Sequence, residues 1–183
     1  MFDLQGLNIY LIGMMGAGKS TVGKLLAERL DYGFIDTDTT IEQVAGQSVD
    51  DIFQSSGEAE FRQIESQILG EISAYTRLVV ATGGGIVVQR QNWSHLQQGL
   101  VIWLDVPIAV LLDRITHDTI NTRPLLKTPD PQATLVELLA SRRDRYRSAD
   151  LQIEISAEDT PDRIVERTIA MIPSVLKAAS ADN

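Results

Sequence analysis

Short, continuous apolar runs alternate along the chain with longer stretches whose apolar residues recur every three or four positions. Leu7 to Ile12 reads as a buried strand, and Lys19 to Leu30 as a helix with Val22, Leu25, Leu26 and Leu30 on one side. Tyr32 to Asp36 predicts a second strand. A short helix begins with Ile41 to Val44 and is stopped by Gly46. Val49 to Phe53 is a further short piece, ended by Ser55-Ser56-Gly57. Glu58 to Tyr75 predicts a long helix that turns Phe61, Ile64, Ile68, Leu69, Ile72 and Tyr75 to the core. Leu78 to Ala81 and Leu100 to Leu104 are the third and fourth strands, and Pro107 starts a helix running to about Arg114. Gln132 to about Arg147 is helical, Leu151 to Ile155 alternates as a fifth strand, and Pro161 opens a last helix after Thr160. That helix buries Ile164, Val165, Ile169, Ile172 and Leu176, and Ala178 to Asn183 is expected to fray. Strands alternating with helices predict an α/β fold, a parallel sheet covered on both faces.

One stretch breaks the alternation. Thr116 to Pro131 holds three prolines and many polar residues without a clear period. A loop of that length in a compact domain is usually a lid or binding loop. No internal repeat, low-complexity block or linker divides the chain, so residues 1–183 are expected to form one domain with a lid at about 116–131.

Composition narrows the function classes. The 183 residues are 44% hydrophobic and 22% charged, an ordinary globular balance. No segment reaches the roughly 20 apolar residues of a membrane span. The N-terminus carries no basic region before an apolar run, so a secretion signal is not expected. The absence of cysteine excludes disulfides and thiolate-held metals and suits a cytoplasmic home. A net charge of −9 argues against nucleic acid as a partner. Against that acidic background, Arg142, Arg143, Arg145 and Arg147 crowd together after Arg114, Arg123 and Lys127, which suggests a small anionic ligand. Each arginine taken alone fits a solvated helix face equally well. No long apolar stripe is left over, so a monomer is expected.

The chemistry enters with Gly13-Met14-Met15-Gly16-Ala17-Gly18-Lys19-Ser20-Thr21, which fits G-x-x-x-x-G-K-[ST] between a strand and a helix. Glycines let successive backbone N–H groups point inward around phosphate oxygens. The following helix adds free N–H groups and a partial positive charge. Lys19 would reach the outer phosphates, and the Ser20 hydroxyl would ligate Mg²⁺. This predicts an ATP-type nucleotide and phosphoryl transfer, which depends on positioning, charge neutralisation and exclusion of water.

Asp36 and Asp38 follow the second strand, where open parallel sheets bind ligands. If the segment is extended they point the same way, and either could accept a hydroxyl proton. Arg62 taken alone reads first as a surface ion pair with Glu58 or Glu65, and otherwise as a ligand for an anion. Gly83-Gly84-Gly85 is entropically unfavourable and suggests close approach of a bulky group to backbone, or else a permissive loop.

Taken together, Asp36-Thr37-Asp38, Gly57-Glu58 with Phe61-Arg62, Thr82-Gly83-Gly84-Gly85, Arg123-Pro124-Leu125-Leu126 and Arg142 before Tyr146 resemble the shikimate kinase family in order and spacing. The resemblance runs from about Leu7 to Ile172. It implies a three-layer fold of the phosphate-loop NTPase type, with strand order 2-3-1-4-5, and ATP-dependent phosphorylation of the 3-hydroxyl of shikimate. It further implies that Gly16, Ala17, Gly18, Lys19, Ser20 and Thr21 hold the ATP phosphates and that Arg123 reaches them from the lid. Arg114 and Pro161 would flank the adenine. Ser20 would hold Mg²⁺, supported by Asp36 through water. Asp38 would bind the substrate hydroxyls and act as base, Arg62 and Arg142 would grip the substrate carboxylate, and Gly83, Gly84 and Gly85 would hold the ring. Lys19, Asp38 and Arg123 would carry the catalysis. Two positions depart from the pattern: Asp144-Arg145 stands where Pro-Leu is expected, and Asn92-Trp93 where Asn-Arg is frequent. Two other readings compete: a kinase for another small hydroxy acid such as gluconate, and a nucleotide-binding regulatory domain without catalysis. The second would be expected to lose the acidic pair or the lid arginine, and this chain keeps both.

Overall fold

Five parallel strands form one sheet in the order β2-β3-β1-β4-β5. The strands are β1 (Ile9–Ile12), β2 (Gly33–Asp36), β3 (Leu78–Ala81), β4 (Leu100–Asp105) and β5 (Leu151–Glu154). The computed structural model describes residues 4–117, 124–126 and 128–181. Central β1 pairs with β3 through Ile9 and Val79 and with β4 through Ile9 and Leu100. It is buried on both faces, as a central parallel strand must be. Strand β2 is an edge, and only partly buried.

The helices are α1 (Lys19–Leu30), α2 (Thr37–Ala45), α3 (Val49–Ser73), α4 (Trp93–Leu96), α5 (Ile108–His117), α6 (Pro131–Tyr146) and α7 (Pro161–Ala181). Right-handed crossovers fix their sides. The β1-to-β2 connection runs toward one edge of the sheet and puts α1 on one face, where α7 packs against it. All later connections run the other way and put α2 to α6 on the opposite face. The C-terminal strand ends, with the loops that follow them, therefore open on one rim of the sheet.

Most elements lie where the apolar periods put them, and the differences have local causes. Strand β1 starts at Ile9, because Leu7 sits in a turn and is 38% exposed. Helix α2 starts at Thr37, four residues before the expected Ile41. The Asp36 carboxylate accepts the N–H groups of Asp38 and Thr39, and this N-cap turns the chain into a helix at once. The acidic pair is therefore not on an extended segment. The two expected pieces around Gly57 run on as α3, with Gly57 itself non-helical at φ 81° and ψ 172°. Tyr75 is 66% exposed and outside the core, since α3 ends at Ser73 and its spacing no longer governs Tyr75. Helix α5 extends to His117, and Pro124–Leu126 forms a 3₁₀ turn within the expected loop. The stretch after the triple glycine, left unassigned by period, holds two 3₁₀ turns and α4. Its anchors are polar: Asn92 Nδ2 donates to Ile86 O at 2.8 Å, and the Trp93 indole N–H donates to Val87 O at 3.2 Å.

Candidate active site

The phosphate-binding loop leaves β1 and enters α1 through Gly18, whose φ of 89° closes the turn in a conformation that costs a side-chain-bearing residue about 1 kcal/mol or more. No side chain caps α1, so its first-turn N–H groups face the loop. Lys19 is buried and folds back over the loop, donating to Gly13 O at 2.9 Å and Met14 O at 2.8 Å. Arg114, on α5, donates to Gly16 O and Ala17 O, both at 3.3 Å. Thr21 is exposed on the first turn of α1. Pro161 is the exposed first residue of α7 and is not part of the main cleft. Arg123 lies outside the described residues, as does the middle of the expected lid, residues 118–123 and 127.

Beside the loop, a cleft of about 960 Å³ opens between the strand ends, α2, α3 and α6. It brings together Ser20, Asp36, Asp38, Arg62, Gly83, Gly84, Gly85 and Arg142 from five separate stretches of chain. Leu125, of the 3₁₀ turn, also faces it. The Ser20 hydroxyl donates to Asp36 Oδ2 at 2.5 Å, so the carboxylate that caps α2 also ties β2 to α1. Asp38, in the first turn of α2, faces Gly83 instead: a Cβ on Gly83 would lie 2.8 Å from Asp38 Oδ1. The two carboxylates thus share the cleft, with the N-cap separating their directions.

The glycine triplet is held from three sides. Gly83 N–H donates to the buried Thr37 hydroxyl at 2.9 Å, and Thr82 Oγ1 donates to Leu11 O at 2.9 Å. Gly84 O accepts from Tyr146 Oη at 2.6 Å and from Arg142 Nη1 at 3.2 Å. These two donors are four residues apart, on one face of α6. A Cβ on Gly85 would overlap the Arg62 guanidinium, so a side chain there would displace Arg62 from its place in the cleft.

Arg62 is 5% exposed, and it does pair with Glu58 and Glu65. The Glu58 partner is half-exposed, but the Glu65 pair is not on the surface. Nη1 donates to Glu65 Oε2 at 2.8 Å and Nη2 to Glu58 Oε1 at 3.0 Å, and Glu65 is fully buried. Burial pushes the Glu65 carboxyl up to about 7, against the lowering effect of Arg62, with Asp38 adding to the rise. Burial likewise pushes the Tyr146 phenol up to about 12, which keeps it a donor to Gly84.

Sequence reasoning missed two of these residues. Glu65 was visible only as a possible partner of Arg62, because its burial depends on α6 and the triplet closing over α3. Tyr146 was visible as a motif position without a task. The departures are benign here. Asp144 and Arg145 are both exposed, and α6 continues through them so that Arg142 and Tyr146 both reach Gly84.

Among the described residues no helix is long and apolar enough to cross a membrane. The family model for shikimate kinase matches residues 15–173. A shikimate kinase of Synechococcus elongatus is 57% identical over 180 residues, covering 98% of this chain and 93% of the relative. One from Trichormus variabilis is 54% identical, covering 98% of both. Among solved structures, the shikimate kinase of Acinetobacter baumannii in complex with shikimate superposes with a TM-score of 0.88 at 38% identity, over 93% of this chain and 95% of that one. A gluconokinase from Sinorhizobium meliloti, at 19% identity and a TM-score of 0.60, shares the fold alone. The strand order, the phosphate loop, the cleft and the similarity along nearly the whole chain agree: this chain belongs to the shikimate kinase family.

Proposed function

We propose that this chain phosphorylates the 3-hydroxyl of shikimate with ATP, giving shikimate 3-phosphate and ADP, and that the cleft beside the phosphate loop is the acceptor site. The observation that carries the reading is the pair of buried arginines, Arg62 and Arg142, set around the glycine triplet with Asp38 opposite. A planar carboxylate matches guanidinium forks. A gluconate-type acceptor lacks the rigid ring that three unadorned backbone units accommodate.

In this reading the loop residues Gly16 to Thr21 hold the ATP phosphates, and Lys19 exchanges the carbonyls of Gly13 and Met14 for the outer phosphates. Arg114 stands on the nucleotide side of the loop. Asp38 accepts the proton of the 3-hydroxyl as its oxygen bonds to the γ-phosphorus and the bond to the ADP oxygen breaks. The Ser20 hydroxyl and the Asp36 carboxylate are hard oxygen donors of the kind Mg²⁺ takes, one or two at a time beside phosphate and water. Bound there, Mg²⁺ would offset phosphate charge. Both substrates are small polar molecules of the cytoplasm, where we place the enzyme, as a monomer.

The test is ADP release with shikimate, gluconate and the methyl ester of shikimate. Shikimate should be turned over well and gluconate not measurably. The ester should lose about thirty-fold or more in kcat/KM, since a buried charge left unpaired costs about 2–5 kcal/mol at ~1.4 kcal/mol per tenfold. Equal turnover of gluconate would overturn the assignment.

A further inference from the structure

Glu65 is a buried carboxylate for which phosphoryl transfer has no task, and its surroundings give it one. It faces Arg62 and Glu58 from its own helix, Asp38 from α2, and Arg142 and Tyr146 from α6. The cluster therefore holds three carboxylates and two guanidiniums before any ligand enters. A substrate carboxylate makes four anions against two cations around side chains that are themselves largely buried, Arg62, Glu65 and Arg142. Glu58 is half-exposed and can swing into solvent. Glu65 is fully buried and cannot.

Its two oxygens are unequal. Oε2 accepts from Arg62 at 2.8 Å, whereas Oε1 is buried with no hydrogen-bond partner among the described residues. Oε1 points at the backbone of Gly83, where a Cβ would lie 2.6 Å from it and 2.8 Å from Asp38 Oδ1. A proton on Oε1 would remove one negative charge from the crowded side of the cluster without disturbing the bond to Arg62.

We propose that Glu65 takes up a proton when the substrate carboxylate enters the cleft, so that acceptor binding is coupled to protonation of this one side chain. The proposal rests on the reading of this cleft as the shikimate site. Burial already holds the Glu65 carboxyl at about 7 in the free protein, and a further anion between Arg62 and Arg142 weakens the interactions that lower it. The guanidiniums stay charged, and the Tyr146 phenol stays protonated. Asp38 and Glu58 are the other carboxylates of the cluster that could take the proton, and substitution of Glu65 distinguishes it from them.

The experiment is calorimetric titration of shikimate into the full-length protein with ADP present, in buffers of different ionisation enthalpy. In wild type the apparent enthalpy should vary with the buffer at about pH 7.5, reporting net proton uptake. The Kd should rise with pH above about 7, by up to about tenfold per unit. Both signatures should vanish in Glu65→Gln, which keeps an oxygen for Arg62. Buffer-independent heats, or uptake unchanged in Glu65→Gln, would overturn the proposal. If that variant does not fold, the pH dependence of the wild-type Kd decides alone, a flat profile overturning it. A complete lack of binding heat would instead overturn the acceptor assignment beneath it.

Discussion

The two halves of the site are built on opposite principles. The proposed nucleotide half centres on one contiguous stretch, Gly13 to Thr21, whose chemistry lies mainly in backbone N–H groups and a helix terminus. The acceptor half is assembled from α2, α3, the triplet after β3 and α6, and its chemistry lies in buried side-chain charge. A backbone site needs only a local turn to exist. An assembled site exists only when the whole rim of the sheet is in place, so in the proposed assignment its residues carry structural and ligand duties together. Arg62, already paired with two carboxylates, shows that overlap most clearly.

The largest expected effect tests the junction of the two halves. Asp38→Asn should lower kcat by about 10²–10⁴-fold, the usual contribution of a general base, while the Kd for ATP stays near normal. Lost ATP affinity with normal turnover would move Asp38 to the nucleotide half. Next comes the backbone half itself. Lys19→Met should lower kcat by about 10²–10³-fold, as removal of one preorganised charge-stabilising group does, with the circular dichroism spectrum unchanged. Near-normal turnover would mean the loop holds phosphates without its lysine.

The same contrast explains what could be read from the sequence. The phosphate loop, five strands and most helices follow from local signals: glycine spacing, apolar period and proline at first helical positions. Asp36 defeated the local reading, because a carboxylate after a strand is equally a ligand and an N-cap, and here the cap sets where α2 begins. For Arg62 the period gave the right partners and the wrong environment. Whether an i,i+3 pair is wet or dry is decided by α6 and the glycine triplet, far along the chain. The tasks of Glu65 and Tyr146 had no local signature at all.

A smaller effect sharpens the overlap of duties. Arg62→Ala should lower kcat/KM for shikimate by about thirty-fold or more, from about 2–5 kcal/mol for an unpaired buried charge at ~1.4 kcal/mol per tenfold. Combined with the methyl ester, the loss should be far below the product of the two single losses, because the groups satisfy each other. Simple multiplication would confine Arg62 to its ion pairs with Glu58 and Glu65.

The smallest expected effect falls on Tyr146, which touches both halves. Its hydroxyl donates to Gly84 O at 2.6 Å and lies 3.5 Å from Met14 Sδ in the phosphate loop, and its ring stacks on Trp103 at 5.7 Å. Tyr146→Phe keeps the ring and the stacking and removes one buried donor. Arg142 still reaches the same carbonyl, so Gly84 keeps a partner and the expected loss is about 1 kcal/mol. In a chain of this length that lowers Tm by about 2–4 °C. If the hydroxyl only anchors α6, the change ends there and the kinetics stay as they were. If it sets the orientation of the Gly84 peptide, KM for shikimate should rise a few-fold while KM for ATP holds, because the nucleotide loop has its own backbone frame. A matched rise in both constants would mean that the contact with Met14 transmits the change, and the two halves would then be one mechanical unit.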